Sequence, residues 1–169
     1  MSETTSRRAA APSEGVSRII SGGQTGADRG GLDAAIALGI PHGGWCPKGR
    51  LAEDGVIPTA YQLTETENRS YQHQTNLNVL DADATLIFTQ GNLARGTQAT
   101  KSLCTKAGRP WLHVDLSRLE DGKIGVSAVR EWLSLHKVRT LNVAGDPKSK
   151  APGIQQAVAR FLQETLRAS

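Results

Sequence analysis

The chain has 169 residues, a formal net charge of +4, 38% hydrophobic residues and 4% aromatics. That length supplies one domain with a real core and is short for two. The mild charge suits solubility, and with no Lys/Arg run interleaved with aromatics it argues against a nucleic-acid surface. No apolar run approaches a membrane span. Cys46 and Cys104 form neither a CxxC pair nor a disulfide framework, so a cytoplasmic, reducing home is expected. The opening MSETTSRRAAAPSEG lacks an apolar core and does not read as a secretory leader. Residues 1–15 read as a disordered tail and residues 16–169 as a single ligand-binding domain.

Six short apolar runs follow, with helical patterns between most of them. The first, residues 16–20, predicts a strand and leads into Gly22-Gly23-Gln24-Thr25-Gly26-Ala27-Asp28. A helix follows, with Leu32, Ala35 and Ile36 on one face and Asp28 placed to cap its start. The second run, 40–46, ends at Pro47, and a weaker third covers 60–63. Residues 68–80 predict a polar helix with Tyr71, Thr75 and Asn78 on one face. The fourth run is 84–88. The next helix carries Ala99, Leu103, Cys104 and Ala107 and stops at Gly108. The fifth run, 111–114, precedes a helix with Val126, Val129, Trp132 and Leu133. The sixth, 138–144, precedes a last helix with Ile154, Val158, Phe161 and Leu162, with Pro152 near its first turn.

This alternation predicts an α/β, Rossmann-like doubly wound domain: a mostly parallel sheet of about six strands flanked by helices. The expected strand order is 3-2-1-4-5-6. Strands 1 and 4 are then neighbours, and a ligand sits where the order reverses between them.

The loops at that edge supply the candidate site. Gly22, Gly23 and Gly26 let the backbone approach a ligand, and free N–H groups at the next helix start favour an anion. The loop has neither the GxGxxG nor the GK[ST] spacing, and the same glycines would serve a purely structural turn. Lys48 and Arg50 flank Gly49 and suit a phosphate or oxyanion, or a solvated basic turn. Gly91, Gly96 and Thr97 form a second glycine-rich helix start, with Thr97 able to cap the helix or meet a phosphate. Gly145 and Lys148 lie in the loop after the sixth run. Cys46 reads as a buried thiol. The four histidines lack ligand spacing, so no metal site is expected. Asp81 and Asp83 fall at the opposite edge of the sheet.

The blocks SGGQTGADRGGLDAAIALGIPHGGWCPKGRLAEDG, DADATLIF, LNVAG and APGI closely resemble the molybdenum carrier family. Its members are described as molybdenum cofactor carrier or storage proteins. They belong to a Rossmann-like group that includes the cytokinin phosphoribohydrolases often labelled "lysine decarboxylase". The resemblance implies a cytoplasmic homo-oligomer, a dimer or tetramer, that binds molybdenum cofactor and meets donor or acceptor enzymes. Neither a membrane nor a nucleic acid is expected as a partner. The phosphate would lie on the helix start after Gly22–Gly26 or after Gly96-Thr97. Lys48 and Arg50 would face the oxo-molybdenum or the phosphate. Gln24, Thr25 and Asn78 would hydrogen-bond the pterin edge or position the loops. The phosphoribohydrolases carry a glutamate where Gln98, Ala99 and Thr100 follow Gly96-Thr97 here. That difference favours binding over catalysis. The other reading is a nucleotide-binding protein, or an enzyme acting on a nucleoside monophosphate with Asp28 as its carboxylate.

Overall fold

A computed structural model describes residues 15–121 and 125–167; the expected disordered tail falls almost wholly on residues 1–14, outside the described residues. In chain order the elements are β1 (Arg18–Ile20), α1 (Ala27–Leu38), β2 (His42–Gly43), β3 (Trp45–Cys46), β4 (Leu51–Ala52) and β5 (Gly55–Val56). Then come β6 (Thr64–Glu65), α2 (Tyr71–Asp81), β7 (Ala84–Thr89), α3 (Arg95–Ala107), β8 (Trp111–Asp115), a 3-10 turn (Leu116–Asp121), α4 (Val126–Leu135), β9 (Thr140–Gly145) and α5 (Ile154–Leu166).

The main sheet has five strands in the order β2-β1-β9-β7-β8, and every pairing in it is parallel. The fold is the Rossmann-like α/β arrangement, but the expected strand order is corrected. The sixth run, as β9, inserts between the first and the fourth, so β1 and β7 are not neighbours. The physical reason lies in the burial of the strands. All six residues of β7 and four consecutive residues of β9, Leu141 to Ala144, are buried, as suits strands covered on both faces. β8 is mostly half-buried and takes an edge. Numbered from β9, the order reads 3-2-1-4-5, the doubly wound order with its first strand at the end of the chain. The switch point therefore lies between β9 and β7.

The third run does not join this sheet. Gly44, at φ +124, bends the second run, and a Cβ there would lie 2.2 Å from the Ser21 carbonyl oxygen. The chain leaves the sheet at that point, and β3 pairs in parallel with β6, just beyond residues 60–63. β4 and β5 form a small antiparallel hairpin.

Helices α1, α4 and α5 cover one face of the sheet, and α2 and α3 cover the other. Between sheet and first layer, Ile19, Leu86, Phe88, Leu141 and Val143 pack on Ala34, Val129, Val158 and Leu162. Each such large side chain contributes about 1.5–3 kcal/mol on burial. The closest approach is made by two glycines of α1. A Cβ on Gly30 would lie 2.6 Å from the Gln155 carbonyl oxygen, and one on Gly31 would lie 2.6 Å from Val143 Cβ. α1 is thus wedged between α5 and β9. Gly31→Ala should lower unfolding stability by about 1–3 kcal/mol through overpacking, more than the ~1 kcal/mol alanine gains in helix propensity. Urea denaturation checks this, and an unchanged or raised midpoint would contradict the contact of α1 with β9.

Candidate functional site

A cleft of about 220 Å³ lies over the carboxyl ends of β1 and β9. Gly22, Gln24 and Asp28 line it from the first loop and α1. Tyr71, Gln74, Thr75 and Asn78 line it from one face of α2. Gly96 and Thr100 contribute from α3, and residues 142–145 with Pro147 form the floor. The lining contains no Lys or Arg, and Asp28 is its acidic side chain.

The start of α1 is partly used by the protein itself. Gly26 is its N-cap, and the Ala27 N–H donates to the Asp146 carbonyl at 3.0 Å. Asp28 sits inside the first turn rather than at the cap, and its Oδ2 accepts the Gln24 N–H at 3.2 Å. Burial pushes the Asp28 carboxyl up from 3.8 to about 7. The N–H groups of Gln24 and Gly22 and the charge of Arg29 pull only partly the other way.

The start of α3 is open. The Thr97 hydroxyl accepts the Ala94 N–H at 2.7 Å and donates to the Ala94 carbonyl at 3.0 Å. The Gln98 N–H bonds back to Ala94 at 2.8 Å. The N–H groups of Arg95, Gly96 and Thr97 come before that bond and find no acceptor within the helix. The first turn of α3 carries no acidic residue. A Cβ on Gly96 would meet nothing within 4 Å, so the backbone here faces open space. The positive end of the cleft is thus main chain and helix dipole rather than a side-chain cation.

Amides furnish the walls. Asn78 is buried; its Oδ1 accepts the Trp45 N–H at 2.8 Å, and its Nδ2 donates to the Trp45 carbonyl at 3.0 Å and to Gln74 Oε1 at 3.2 Å. It pins the strand that leaves the sheet at Gly44. Asn142, 2% exposed on the central strand, donates from Nδ2 to Thr85 Oγ1 at 3.2 Å. Among the described residues every fully buried side-chain polar atom has a partner. Asn142 Oδ1 has none, so it is the part of the residue that reaches the cleft. Sequence reasoning missed this residue. Its signal was one asparagine inside the otherwise apolar LNVAG.

A clamp behind the cleft absorbs other candidates. Arg29 is buried, pairs through both nitrogens with Asp54 at 2.8 and 2.9 Å, and donates from Nε to the Gly23 carbonyl at 2.9 Å. Next to Asp54, Glu53 accepts the Thr25 hydroxyl at 2.5 Å and the Ser149 N–H and hydroxyl at 3.0 and 2.7 Å. The Thr25 hydroxyl and then Ser149 hold the Glu53 carboxyl below the usual carboxylate range. Gln24 Oε1 accepts the N–H groups of Thr25 and Glu53. Thr25 also accepts the Lys148 N–H at 3.1 Å.

The remaining candidates lie apart from the cleft. Arg50 donates to the carbonyls of Ile57, Pro58 and Tyr61. Lys48 and Lys148 are exposed. Gly91 donates to Asp115 and accepts from Thr89. Gly23 packs toward Leu63 and Ile57. Cys46 is buried, and burial pushes its thiol up. Asp81 accepts the Trp45 indole N–H, and Asp83 accepts the N–H groups of Arg139 and Thr140 at the amino edge. Among the described residues no three His, Cys, Asp or Glu side chains are grouped to hold a metal ion.

The model of the Circularly permutated YpsA SLOG family matches residues 19–166. The chain belongs to this family. The description fits the strand order, in which the first strand of the doubly wound sheet has become the last in sequence. A crystal structure from Syntrophus aciditrophicus SB, described as a "Putative molybdenum carrier protein", is 44% identical to the chain. The match covers 92% of this chain and 97% of that one, with a TM-score of 0.85. No curated protein matches the chain. Among the described residues no helix is long and apolar enough to cross a membrane.

The Asp28 carboxyl gives a test of this geometry. Between about pH 4 and 7 the folded state holds a proton that the unfolded state releases, so stability falls as pH rises through that window. Asp28→Asn removes the effect. Its melting temperature should match the parent at pH 4 and exceed it increasingly up to pH 7. The full gain is on the order of 2 kcal/mol, below the whole value of the shift because the carboxyl still meets water at the cleft. An equal difference at both pH values would contradict the buried setting of Asp28.

Proposed function

We propose that the cleft binds molybdenum cofactor and that the chain carries or stores it without turnover, with residues 16–169 acting as one binding domain. The observation that carries this reading is the open start of α3 beside the switch point of the sheet, where doubly wound folds hold phosphate-bearing ligands. The relative described as a molybdenum carrier supports it. In this reading the N–H groups of residues 95–97 take the phosphate, and Gly22, Gly96 and Gly145 give it room. Gln24 and the amides of Gln74, Asn78 and Asn142 order the pterin side. The dithiolene of the cofactor brings its own molybdenum, and the chain supplies hydrogen bonds and shields the ligand from water. The reading extends to a homo-oligomer in the cytoplasm that exchanges its ligand with donor and acceptor enzymes.

A second reading rests on Asp28. A cleft carboxyl that changes protonation near neutral pH could move a proton. That favours a nucleotide ligand, or turnover of a nucleoside monophosphate.

The test is anaerobic purification from a host that makes the cofactor. Bound molybdenum is measured by mass spectrometry and pterin by fluorescence after oxidation, against a host that cannot make it. Matching occupancy of both is expected. Gly96→Leu, which the fold has room for, should abolish it with the melting temperature unchanged. A folded protein with neither component, together with turnover of nucleoside monophosphates, would replace the carrier reading with the second.

A further inference from the structure

Asp28 is the one carboxylate the cleft presents to a ligand among the described residues, and the phosphate-binding reading above does not use it. The N–H groups of Gln24 and Gly22 approach the carboxylate from the loop, and with two lone pairs on each oxygen an acceptor position remains on both. Asn142 Oδ1 is a further acceptor without a protein partner. These acceptors line the same cleft as the start of α3, so the cleft joins a phosphate-binding end to a wall that demands N–H donors.

We infer that Asp28, with Asn142 in the same cleft lining, selects ligands carrying a 2-amino-4-oxopyrimidine ring, the edge shared by pterins and guanine. The inference rests on the cleft reading above. An ionised carboxylate has two acceptors in a row. Only a ring edge with two adjacent donors, a ring N–H next to an exocyclic amine, matches it in two parallel hydrogen bonds. Adenine and cytosine place a lone pair beside the amine, and uracil places carbonyls beside its N–H. Each of these sets an acceptor against an acceptor, and a buried mismatch of that kind discriminates strongly.

The match depends on pH. A protonated Asp28 presents one donor and one acceptor, which suits the adenine edge instead. The side chains that share the cleft with Asp28 are neutral: Gln74 and Thr75 from α2, Thr100 from α3 and Asn142 from β9, with Tyr71 as the other titratable group in the lining. Arg29 adjoins Asp28 on α1, and its guanidinium is engaged by Asp54 and Gly23. The preference is therefore set by Asp28 itself. It should favour guanine and pterin above about pH 7, where Asp28 ionises, and fade below.

The experiment is calorimetric titration of the full chain at pH 6 and pH 8 with GMP, AMP, neopterin monophosphate and ribose 5-phosphate. At pH 8, GMP or the pterin phosphate should bind at least tenfold tighter than AMP, and the ratio should shrink at pH 6. Tight binding of both marks recognition of the shared edge; tight binding of one identifies the source of the ring. Asp28→Asn presents a donor and an acceptor at every pH. It should lose the preference while keeping its affinity for ribose 5-phosphate, and its oxygen can still accept the Gln24 N–H. Equal affinity for GMP, AMP and the pterin phosphate in the parent at pH 8 would overturn the inference and leave the phosphate-binding cleft standing. Failure of every probe, ribose 5-phosphate included, would overturn the cleft reading and this inference with it.

Discussion

The loop on one side of the cleft depends on one buried guanidinium, whose carboxylate partner is itself half-exposed. A guanidinium taken out of water must have its donors satisfied. Arg29 meets this demand with two groups far apart in sequence: the carbonyl of Gly23 and the carboxylate of Asp54. The tip of the β4–β5 hairpin is thereby fixed against the loop after β1. Once it is fixed, Glu53 lies within reach of Thr25, Ser149 and the Gln24 side chain. Three loops that sequence keeps separate are joined into one wall behind the cleft.

That wall explains how a chain with net charge +4 can present a cleft lined by neutral groups and one carboxyl. The cations the sequence offers lie elsewhere. Arg50 satisfies loop carbonyls that no strand or helix pairs, and Lys48 and Lys148 face water. Attraction for an anion inside the cleft would then fall to main-chain N–H groups, which hold their direction and partial charge at any pH. Asp28 is the acidic group there whose charge changes near neutral pH.

The sequence made the strand–helix alternation legible because periodicity and turn residues are local signals. The helix 68–80 and its shared face were readable, and Tyr71, Thr75 and Asn78 do line the cleft together. Strand order was not readable. The apolar run of β9 looks like that of β7, and nothing local says that it slots between β1 and β7. The loss of the third run from the sheet turned on Gly44, whose contact with the Ser21 backbone is long-range. Nothing local marks Arg29 as a buried clamp, since its acidic partner lies on a hairpin 25 residues away. Lys48 and Arg50 looked like an anion site because charge spacing does not reveal which carbonyls need donors.

The central place of β9 bears on how the protein is made. A ribosome releases the β2-β1 pair and the β7-β8 pair before Thr140, and no earlier strand bridges the two. Each half-sheet then exposes an unpaired edge on the growing polypeptide until the last strand emerges. Completion of the sheet, and with it of the cleft floor, waits for β9. A ligand seated on that floor can be captured only once residues 140–145 have joined the two half-sheets, so loading follows the pairing of that strand.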